Sequence, residues 1–425
     1  MTIALFLFVL FATMTLGVPI AFALMLTALA LMVHLDFFDA QLLAQNMQAG
    51  FDSFPLLAVP FFILAGELMN AGGLSRRIID LARTFVGHIP GGLGYVAIAA
   101  SLMLASMSGS AIADTAALAT LLLPMMRRQN YPDGSSAGLI AAGGIIAPIV
   151  PPSMPMVIYG VTTNTSISKL FLAGIVPGVI MAVALVMVWR WVAKDKNLSV
   201  ATKTTWPERR KALVSSAWAM MMPVIIIGGL RMGVFTPTEA AVVAAVYALL
   251  VATLVYRELN LAGIYKVFVA AAKTTGVVMF LCGAATAASY MVTLADLPSQ
   301  LAQSMGPLLQ SPMLFMAVVC TFLLAVGMVM DLTPTILILA PVLAPLAAKA
   351  GIDPVYFGFV FIFVGCLGLL TPPVGTVLNV VAGIGRLRME PVIRGVMPFL
   401  LIYLAMLALL IVFPAIVLWP LKLMF

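Results

Sequence analysis

Long apolar stretches recur along the whole chain, separated by short polar segments. Each covers roughly 16 to 25 residues, the length that a helix rising about 1.5 Å per residue needs to cross a bilayer core about 30 Å thick. Of the 425 residues, 63% are hydrophobic and only 9% are charged, and the mean hydropathy is +1.17. A soluble globular protein with this composition would expose mostly apolar surface. The sequence therefore predicts an all-α protein that crosses a membrane many times.

The basic residues are unevenly distributed, and five segments hold 18 of the 22 Lys and Arg. Short cytoplasmic loops of membrane proteins carry such an excess, so we place all five segments in the cytoplasm. The net charge of +7 then reflects orientation in the bilayer and not a nucleic-acid partner. The five segments are residues 76–83, 127–128, 190–211, 257–273 and 386–394.

With these segments inside, the N-terminus lies outside. Residues 3–16 lack the positive start and the small-residue cleavage site of a signal peptide, so we expect a retained helix, with a cleaved leader as the alternative. Residues 18–34 return outward, and the acidic segment after them stays outside. Residues 54–72 then cross inward, and residues 76–88 are expected to lie along the inner surface.

Residues 91–127 have a basic cytoplasmic segment at each end and polar residues halfway. Such a segment predicts a re-entrant hairpin with its tip at residues 106–114. Non-helical backbone at membrane depth is tolerated only where protein or a water-lined cavity covers it, so the tip is expected at a site. The chain next crosses outward at about residues 135–163, where the pair Pro151-Pro152 removes amide donors and predicts a discontinuous helix.

The second half repeats these landmarks. Asp331 follows Asp114 by 217 positions, and the proline pair at 372–373 follows the pair at 151–152 by 221. The first half starts outside and the second starts from the cytoplasm, so we expect inverted repeats, as in many secondary transporters. The predicted organisation is a first repeat at 1–193, a cytoplasmic linker at 194–212 and a second repeat at 213–425, with a second hairpin at about 312–348 and a second broken helix at about 353–384.

Helix termini and hairpin tips present free N–H groups, carbonyls and hydroxyls. Two opposed tips therefore suit an anion together with small hard cations, which prefer oxygen ligands. We expect two cation sites, one per half, with Na⁺ as the coupling ion and no other cofactor; H⁺ coupling would fit the same composition. Candidates for the first Na⁺ site are Ser106, Ser108, Gly109, Ser110, Asp114, Pro151 and Ser153. Candidates for the second are Gly327, Asp331, Thr333, Thr371, Gly375 and Thr376. Substrate-binding candidates are Ser110, Ser153, Asn164, Thr335, Thr376 and Asn379.

Structural roles compete with these assignments. Thr333-Pro334 resembles an N-cap followed by proline at the first helical position, and Ser110 is also placed to cap a helix. A carboxylate at membrane depth is costly and is therefore first interpreted as functional. Asp114 and Asp331 would equally serve to orient the hairpin backbone. Glu239 has the spacing of a capping box with Thr236 and is interpreted as structural. Glu67 stays ambiguous.

Several absences restrict the class of protein. No Lys or Arg lies near the centre of a predicted span, so an anionic substrate would be held by helix N-termini, hydroxyls and side-chain amides. No GxxxxGK[ST] phosphate-binding loop is present, which argues against an ATP-driven motor. The cysteines show no paired or metal-ligand spacing, and His34 and His88 fall near predicted membrane boundaries, so an intramembrane enzyme is disfavoured. The three cysteines are Cys282, Cys320 and Cys366.

Seven motifs together give the chain a family resemblance over essentially its whole length. They resemble motifs of the large membrane (M) subunit of tripartite ATP-independent periplasmic (TRAP) transporters. The motifs are SGSAIADTAA (108–117), IVPPSMPMVIYG (149–160), KLFLAGIVPG (169–178), FTPTEAAVVAAVYAL (235–249), GMVMDLTPTILILAP (327–341), GIDPVYFG (351–358) and GLLTPPVG (368–375).

The resemblance implies a Na⁺-driven importer of organic acids in the bacterial inner membrane, with a periplasmic N-terminus and an elevator-type transport domain that carries both hairpins. It implies two protein partners, a small membrane subunit and a periplasmic substrate-binding protein. Because the chain starts at the first helix of a large subunit, the small subunit is expected to be separate. The chain resembles members that handle sugar acids such as sialic acid or keto-gulonate, and C4-dicarboxylates are the other substrate class expected in the family.

Two other functions share this architecture. A stand-alone ion-coupled carboxylate transporter would need no binding protein. A passive channel built on the same helix breaks would not concentrate its substrate.

Overall fold

The computed structural model describes residues 2–194, 198, 203–304 and 306–424, and these residues form helices joined by short turns, with no β-strand among them. Judged by length and composition, seven helical segments of this part of the chain are long and apolar enough to cross a membrane. The predicted all-α, membrane-spanning architecture is confirmed.

The first half contains ten α-helices and one short 3₁₀ helix at Phe54–Leu57 that leads into α4. The α-helices are α1 (Thr2–Thr15), α2 (Ile20–His34), α3 (Ala40–Phe51), α4 (Ala58–Ala71), α5 (Leu74–Val86), α6 (Gly92–Ser108), α7 (Ala111–Arg128), α8 (Asp133–Gly144), α9 (Met154–Thr163) and α10 (Ile167–Ala193). Helices α6 and α7 form the first hairpin, and α8 and α9 are the two parts of the first broken helix.

The second half mirrors this order, with a short π-helical turn at Val251–Val255 after α12. Its helices are α11 (Trp206–Arg231), α12 (Pro237–Leu250), α13 (Leu261–Leu294), α14 (Leu297–Ser304), α15 (Gly306–Leu309), α16 (Pro312–Gly327), α17 (Leu332–Lys349), α18 (Pro354–Leu370), α19 (Thr376–Gly385), α20 (Met389–Val412) and α21 (Ala415–Met424). The second hairpin is α16–α17, and the second broken helix is α18–α19.

Helix α11 begins at Trp206, inside the stretch expected to be linker. A capping box between Thr205 and Glu208 starts it there, and Pro207 occupies its first turn. Within the expected linker, residues 195–197 and 199–202 lie outside the described part of the chain.

The helices pack as two groups. One group consists of α1–α4 and α11–α13, where α12 lies against α4, and α13 lies against α2, α3 and α4. The other consists of α6–α10 and α16–α20 and contains both hairpins and both broken helices. The groups meet where α4 contacts α6 and α9 and where α13 contacts α17, and α5 links them by packing against both α6 and α11.

Inside the second group, α8 and α20 pack closely against each other. A Cβ added at Gly138 would lie 2.6 Å from the Val396 amide nitrogen, and one added at Gly395 would overlap the backbone of Gly134. Small residues allow such backbone-to-backbone packing in membranes, where helix association depends on van der Waals contact. The crossing therefore requires glycine on both helices.

The second part of each broken helix packs against the hairpin of the other repeat. Helix α9 packs against α17 of the second hairpin, and α19 packs against α7 of the first. Arg127, at the end of α7, donates a 2.6 Å hydrogen bond to the carbonyl of Gly385, the last residue of α19. This reciprocal packing is the arrangement expected of two inverted repeats.

Helix α5 is amphipathic, with Ile78, Ile79 and Ala82 buried on one face. On its other side, Arg77 forms a 2.6 Å ion pair with Glu258, and its guanidinium lies 3.7 Å from the centre of the Tyr256 ring. These two contacts hold α5 to the segment that follows α12.

Candidate functional site

The tip of the first hairpin is a two-residue turn between α6 and α7. Gly109 takes a left-handed conformation at φ +61°, and Ser110 caps α7 by accepting a 3.3 Å hydrogen bond from the Ala113 amide. The capping role predicted for Ser110 is confirmed. Ser108 accepts a 3.2 Å hydrogen bond from the Ser110 amide and donates its hydroxyl proton to Asp114.

Asp114 lies in the first turn of α7 and is only 3% exposed. Its Oδ1 accepts from Ser108, whereas Oδ2 is buried and has no hydrogen-bond partner among the described residues. The hydroxyl of the neighbouring Thr115 is likewise buried without a described partner. Burying a carboxylate oxygen without a partner is costly. The Oδ2 atom of Asp114 is therefore a candidate to bind a cation or a proton.

The first helix break lies directly against this tip. Ser153 donates a 2.5 Å hydrogen bond to the Pro148 carbonyl and caps α9 by accepting from the Met156 amide at 3.4 Å. The peptide bond between Pro151 and Pro152 is cis. A Cβ added at Gly109 would lie 2.7 Å from the Pro152 carbonyl oxygen, so tip and break are in backbone contact.

We expect Gly109→Ala to disrupt this contact. The left-handed backbone costs a non-glycine residue about 1–2 kcal/mol, and the added Cβ would also lie 3.1 Å from the Met154 amide nitrogen. Transport activity should fall at least about tenfold in an uptake assay, and size-exclusion chromatography of the same samples measures how much of the variant stays folded. Gly383→Ala, where nothing lies within 4 Å of the added Cβ, is the control. Equal activity of the two variants would contradict the expectation.

The second hairpin turns at residues 328–331. Helix α17 begins at Leu332 with Asp331 at its N-cap position, and Thr335 donates a 2.8 Å hydrogen bond back to the Asp331 carbonyl. The predicted capping role of Thr333 is therefore wrong, because the helix starts two residues earlier and Pro334 lies at its third position. An Asp at 331 and a Thr at 333 both suit an N-cap, and the sequence alone did not rank them.

The second break lies between α18 and α19, with a cis peptide bond between Pro372 and Pro373. Thr371 donates to the Leu367 carbonyl at 2.7 Å, and Gly375, at φ +50°, precedes α19. The hydroxyl of Thr376 is buried without a partner in the described part of the chain.

The two tips meet at a small cavity of about 60 Å³. Gly109 and Ser110 line it from the first hairpin, and Asp331 and Thr333 line it from the second. Pro148, whose carbonyl accepts the Ser153 hydroxyl, also lines it. Candidates from both predicted Na⁺ sites thus share one central region.

Other predicted site residues have different surroundings. Ser106 donates to the Met103 carbonyl at 2.8 Å within its own helix, and Thr335 is completely buried. Asn164 ends α9 in a left-handed conformation and lines two larger cavities away from the tips. Asn379 is exposed and donates a 2.9 Å hydrogen bond to the Val374 carbonyl.

The structure also gives the positions of Glu239 and Glu67. Glu239 accepts from the Thr236 amide at 2.8 Å while Thr236 accepts from the Glu239 amide at 3.3 Å, so the predicted capping box is confirmed. Glu67 is half-buried on α4, next to Gly66, whose added Cβ would lie 3.6 Å from Ser108.

Sequence reasoning missed a polar face on α13. Thr286, Ser289 and Thr293 lie three and four residues apart, on one side of the helix, and line a cavity next to Thr162 of α9. This spacing was visible in the sequence. In a 34-residue helix, single Ser and Thr residues are compatible with an ordinary membrane span, because each hydroxyl can donate its proton to the helix backbone.

Residues 7–416 match the family described as "Tripartite ATP-independent periplasmic transporter, DctM component". The chain is 53% identical to the 2,3-diketo-L-gulonate TRAP transporter large permease protein YiaN of Escherichia coli, over 99% of each chain. It is 41% identical to the sialic acid TRAP transporter large permease protein SiaM of Vibrio cholerae, over 94% of this chain and 93% of that one.

A solved structure shares the fold at low sequence identity. The YdaH transporter of Alcanivorax borkumensis, described as having an unusual topology, aligns with a TM-score of 0.68 over 89% of this chain and 88% of that one, at 15% identity. The family match extends over nearly the whole chain, and the relatives are transporter permeases. The chain therefore belongs to the DctM family, the large permease component of TRAP transporters, and is a multi-pass membrane transport protein and not an enzyme.

Proposed function

We propose that this permease couples uptake of an organic acid to Na⁺ entry at the two hairpin tips. The observation that carries the proposal is the buried, unpartnered carboxylate oxygen of Asp114. The Ser108 and Ser110 hydroxyls and the turn carbonyls around it are hard oxygen ligands of the kind that Na⁺ takes. A bound cation would offset the cost of burying this charge.

The second tip supports a second cation site of the same type. Asp331 and Thr333 line the shared cavity, and the buried Thr376 hydroxyl has no partner among the described residues. Since both tips border one cavity, a substrate carboxylate held there would lie near both cations. Proton coupling through Asp114 is the second candidate, because a protonated carboxyl would also offset the cost of its burial.

The division into two helix groups supports an elevator mechanism. Both hairpins and both broken helices belong to one group, whereas α1–α4 and α11–α13 pack among themselves. The site-bearing group would slide along the other and expose the tips to each side in turn.

The relatives suggest the substrate and the partners. Their names specify 2,3-diketo-L-gulonate and sialic acid, so we propose a sugar acid as the substrate of this chain. A small membrane subunit and a periplasmic binding protein would complete the transporter. We place it in the bacterial inner membrane with the N-terminus in the periplasm, on the basis of the basic segments.

Reconstitution in proteoliposomes tests the proposal. With the small subunit and the binding protein present, we expect labelled sugar acid to accumulate above equilibrium only under an inward Na⁺ gradient. Accumulation driven by a pH gradient without Na⁺ would contradict Na⁺ coupling. Accumulation without the binding protein would favour a stand-alone carrier, and equilibration without accumulation would favour a channel.

A further inference from the structure

A groove lies between the two helix groups, along α17 of the second hairpin. It consists of two adjoining cavities of about 360 and 290 Å³, which share Thr162 of α9 with Ser289 and Thr293 of α13. The groove follows α17 from Leu337 to Ala348. Its volume is in the range of small-molecule sites.

Three polar side chains of the groove already donate a hydrogen bond within their own helix. Thr162, Thr293 and Asn46 each donate to the carbonyl four positions earlier in their own helix, at 2.7, 2.9 and 2.9 Å. A threonine hydroxyl has one proton and two lone pairs, so once the proton is committed to the backbone its remaining capacity is to accept. Asn164, Ser289 and Tyr290 also line the groove, and their amide and hydroxyl groups can both donate and accept, so the groove suits a neutral ligand with groups of both kinds.

Charge is absent from the same walls. Neither cavity has an Asp, Glu, Lys or Arg among its lining residues. A carboxylate would find no positive partner there, whereas the hydroxyl groups of a sugar chain both donate and accept and so match neutral polar side chains. At its inner end the groove reaches Leu337, six residues after Asp331 and therefore about 9 Å along α17 from the hairpin tip.

We propose that this groove binds the hydroxyl groups of a polyhydroxylated acid and so selects sugar acids over simple dicarboxylates. The inference rests on the proposed function, since it assumes that a sugar acid is the cargo. The carboxylate would lie toward the hairpin tips and the hydroxyl-bearing chain between α9 and α13.

A labelling experiment tests binding independently of transport. In a variant with the three buried cysteines replaced by alanine, Ser289→Cys places a thiol in the groove, and its rate of reaction with N-ethylmaleimide is measured in proteoliposomes. We expect 2,3-diketo-L-gulonate or sialic acid to slow labelling at least about threefold, and succinate or Na⁺ alone to leave it unchanged. The control is Thr274→Cys, at an exposed position of α13 outside the groove; no compound should change its labelling rate.

A kinetic experiment uses the protein with its native cysteines. Thr293→Val keeps the side-chain volume and removes the acceptor, so the KM for sugar-acid uptake by the complete transporter should rise about fivefold with kcat unchanged. Thr274→Val, which also loses a hydroxyl bonded to its own helix, should match the wild type.

Each result has a distinct meaning. Equal protection by succinate, protection by Na⁺ alone, no protection by either sugar acid, or an unchanged KM in Thr293→Val would overturn the groove assignment while leaving Na⁺-coupled transport intact. If no organic acid is taken up by the wild type, the proposed function fails, and the labelling rates still report whether sugar hydroxyls occupy the groove.

Discussion

Asp114→Asn should lower Na⁺-driven uptake at least about 100-fold. Asparagine has nearly the same shape and can still accept the Ser108 hydroxyl, but it removes the negative charge and places an amide nitrogen where a cation would bind. The same substitution removes an unpartnered buried carboxylate oxygen, so folding in the absence of Na⁺ should not suffer. Initial uptake rates measured against external Na⁺ test the first effect, and thermal unfolding with and without Na⁺ tests the second.

A matched control separates the charge at this position from any Asp-to-Asn change. Asp353 caps α18 by accepting from the Val355 and Tyr356 amides, each at 2.9 Å. Asparagine caps a helix nearly as well as aspartate, so Asp353→Asn should retain uptake within about twofold and keep its Na⁺-induced thermal shift. Wild-type Na⁺ dependence in Asp114→Asn would remove the proposed cation site.

Gly138→Ala should have the largest effect on folding. In an open helix this change is stabilising by about 1 kcal/mol. Here the new Cβ would overlap the Gly395 backbone and lie 2.6 Å from the Val396 amide nitrogen, and neither is a flexible side chain that can move aside. We expect a net destabilisation of about 3 kcal/mol, detected as a lower melting temperature and less monodisperse protein in detergent.

Gly276→Ala in α13 supplies the comparison, because nothing lies within 4 Å of its added Cβ. It should melt at the wild-type temperature or slightly above. If Gly138→Ala matches Gly276→Ala, the close approach of α8 and α20 does not limit stability.

Much of the fold could be predicted from the sequence because bilayers restrict the choice of structure. Apolar stretches of helix-spanning length, basic segments on one side and paired prolines at 151–152 and 372–373 each have few physical interpretations. The hairpins follow from polar residues placed halfway between two ends on the same side. The Thr236–Glu239 capping box was predictable because all its partners lie within four residues.

The candidate site was less predictable because it is assembled from distant segments. Ser110 and Asp331 lie in separate halves of the sequence, and only the packing of the folded chain brings both to one cavity. Local patterns also competed: Thr333-Pro334 resembled a helix start, but α17 begins at Leu332. The polar face of α13 remained hidden because Ser289 and Thr293 matter only through their position opposite α9.

The packing of α9 and α19 against the hairpins of the opposite repeats has a consequence for biogenesis. While the ribosome is still synthesising the second half, α7 and α9 are already in the membrane without α19 and α17, the helices that cover them in the finished protein. The buried carboxylate of Asp114 then belongs to an incomplete structure. The last third of the chain must therefore be inserted before the first hairpin acquires its final surroundings, and the two halves produced as separate polypeptides would have to be made together in one cell to yield an active permease.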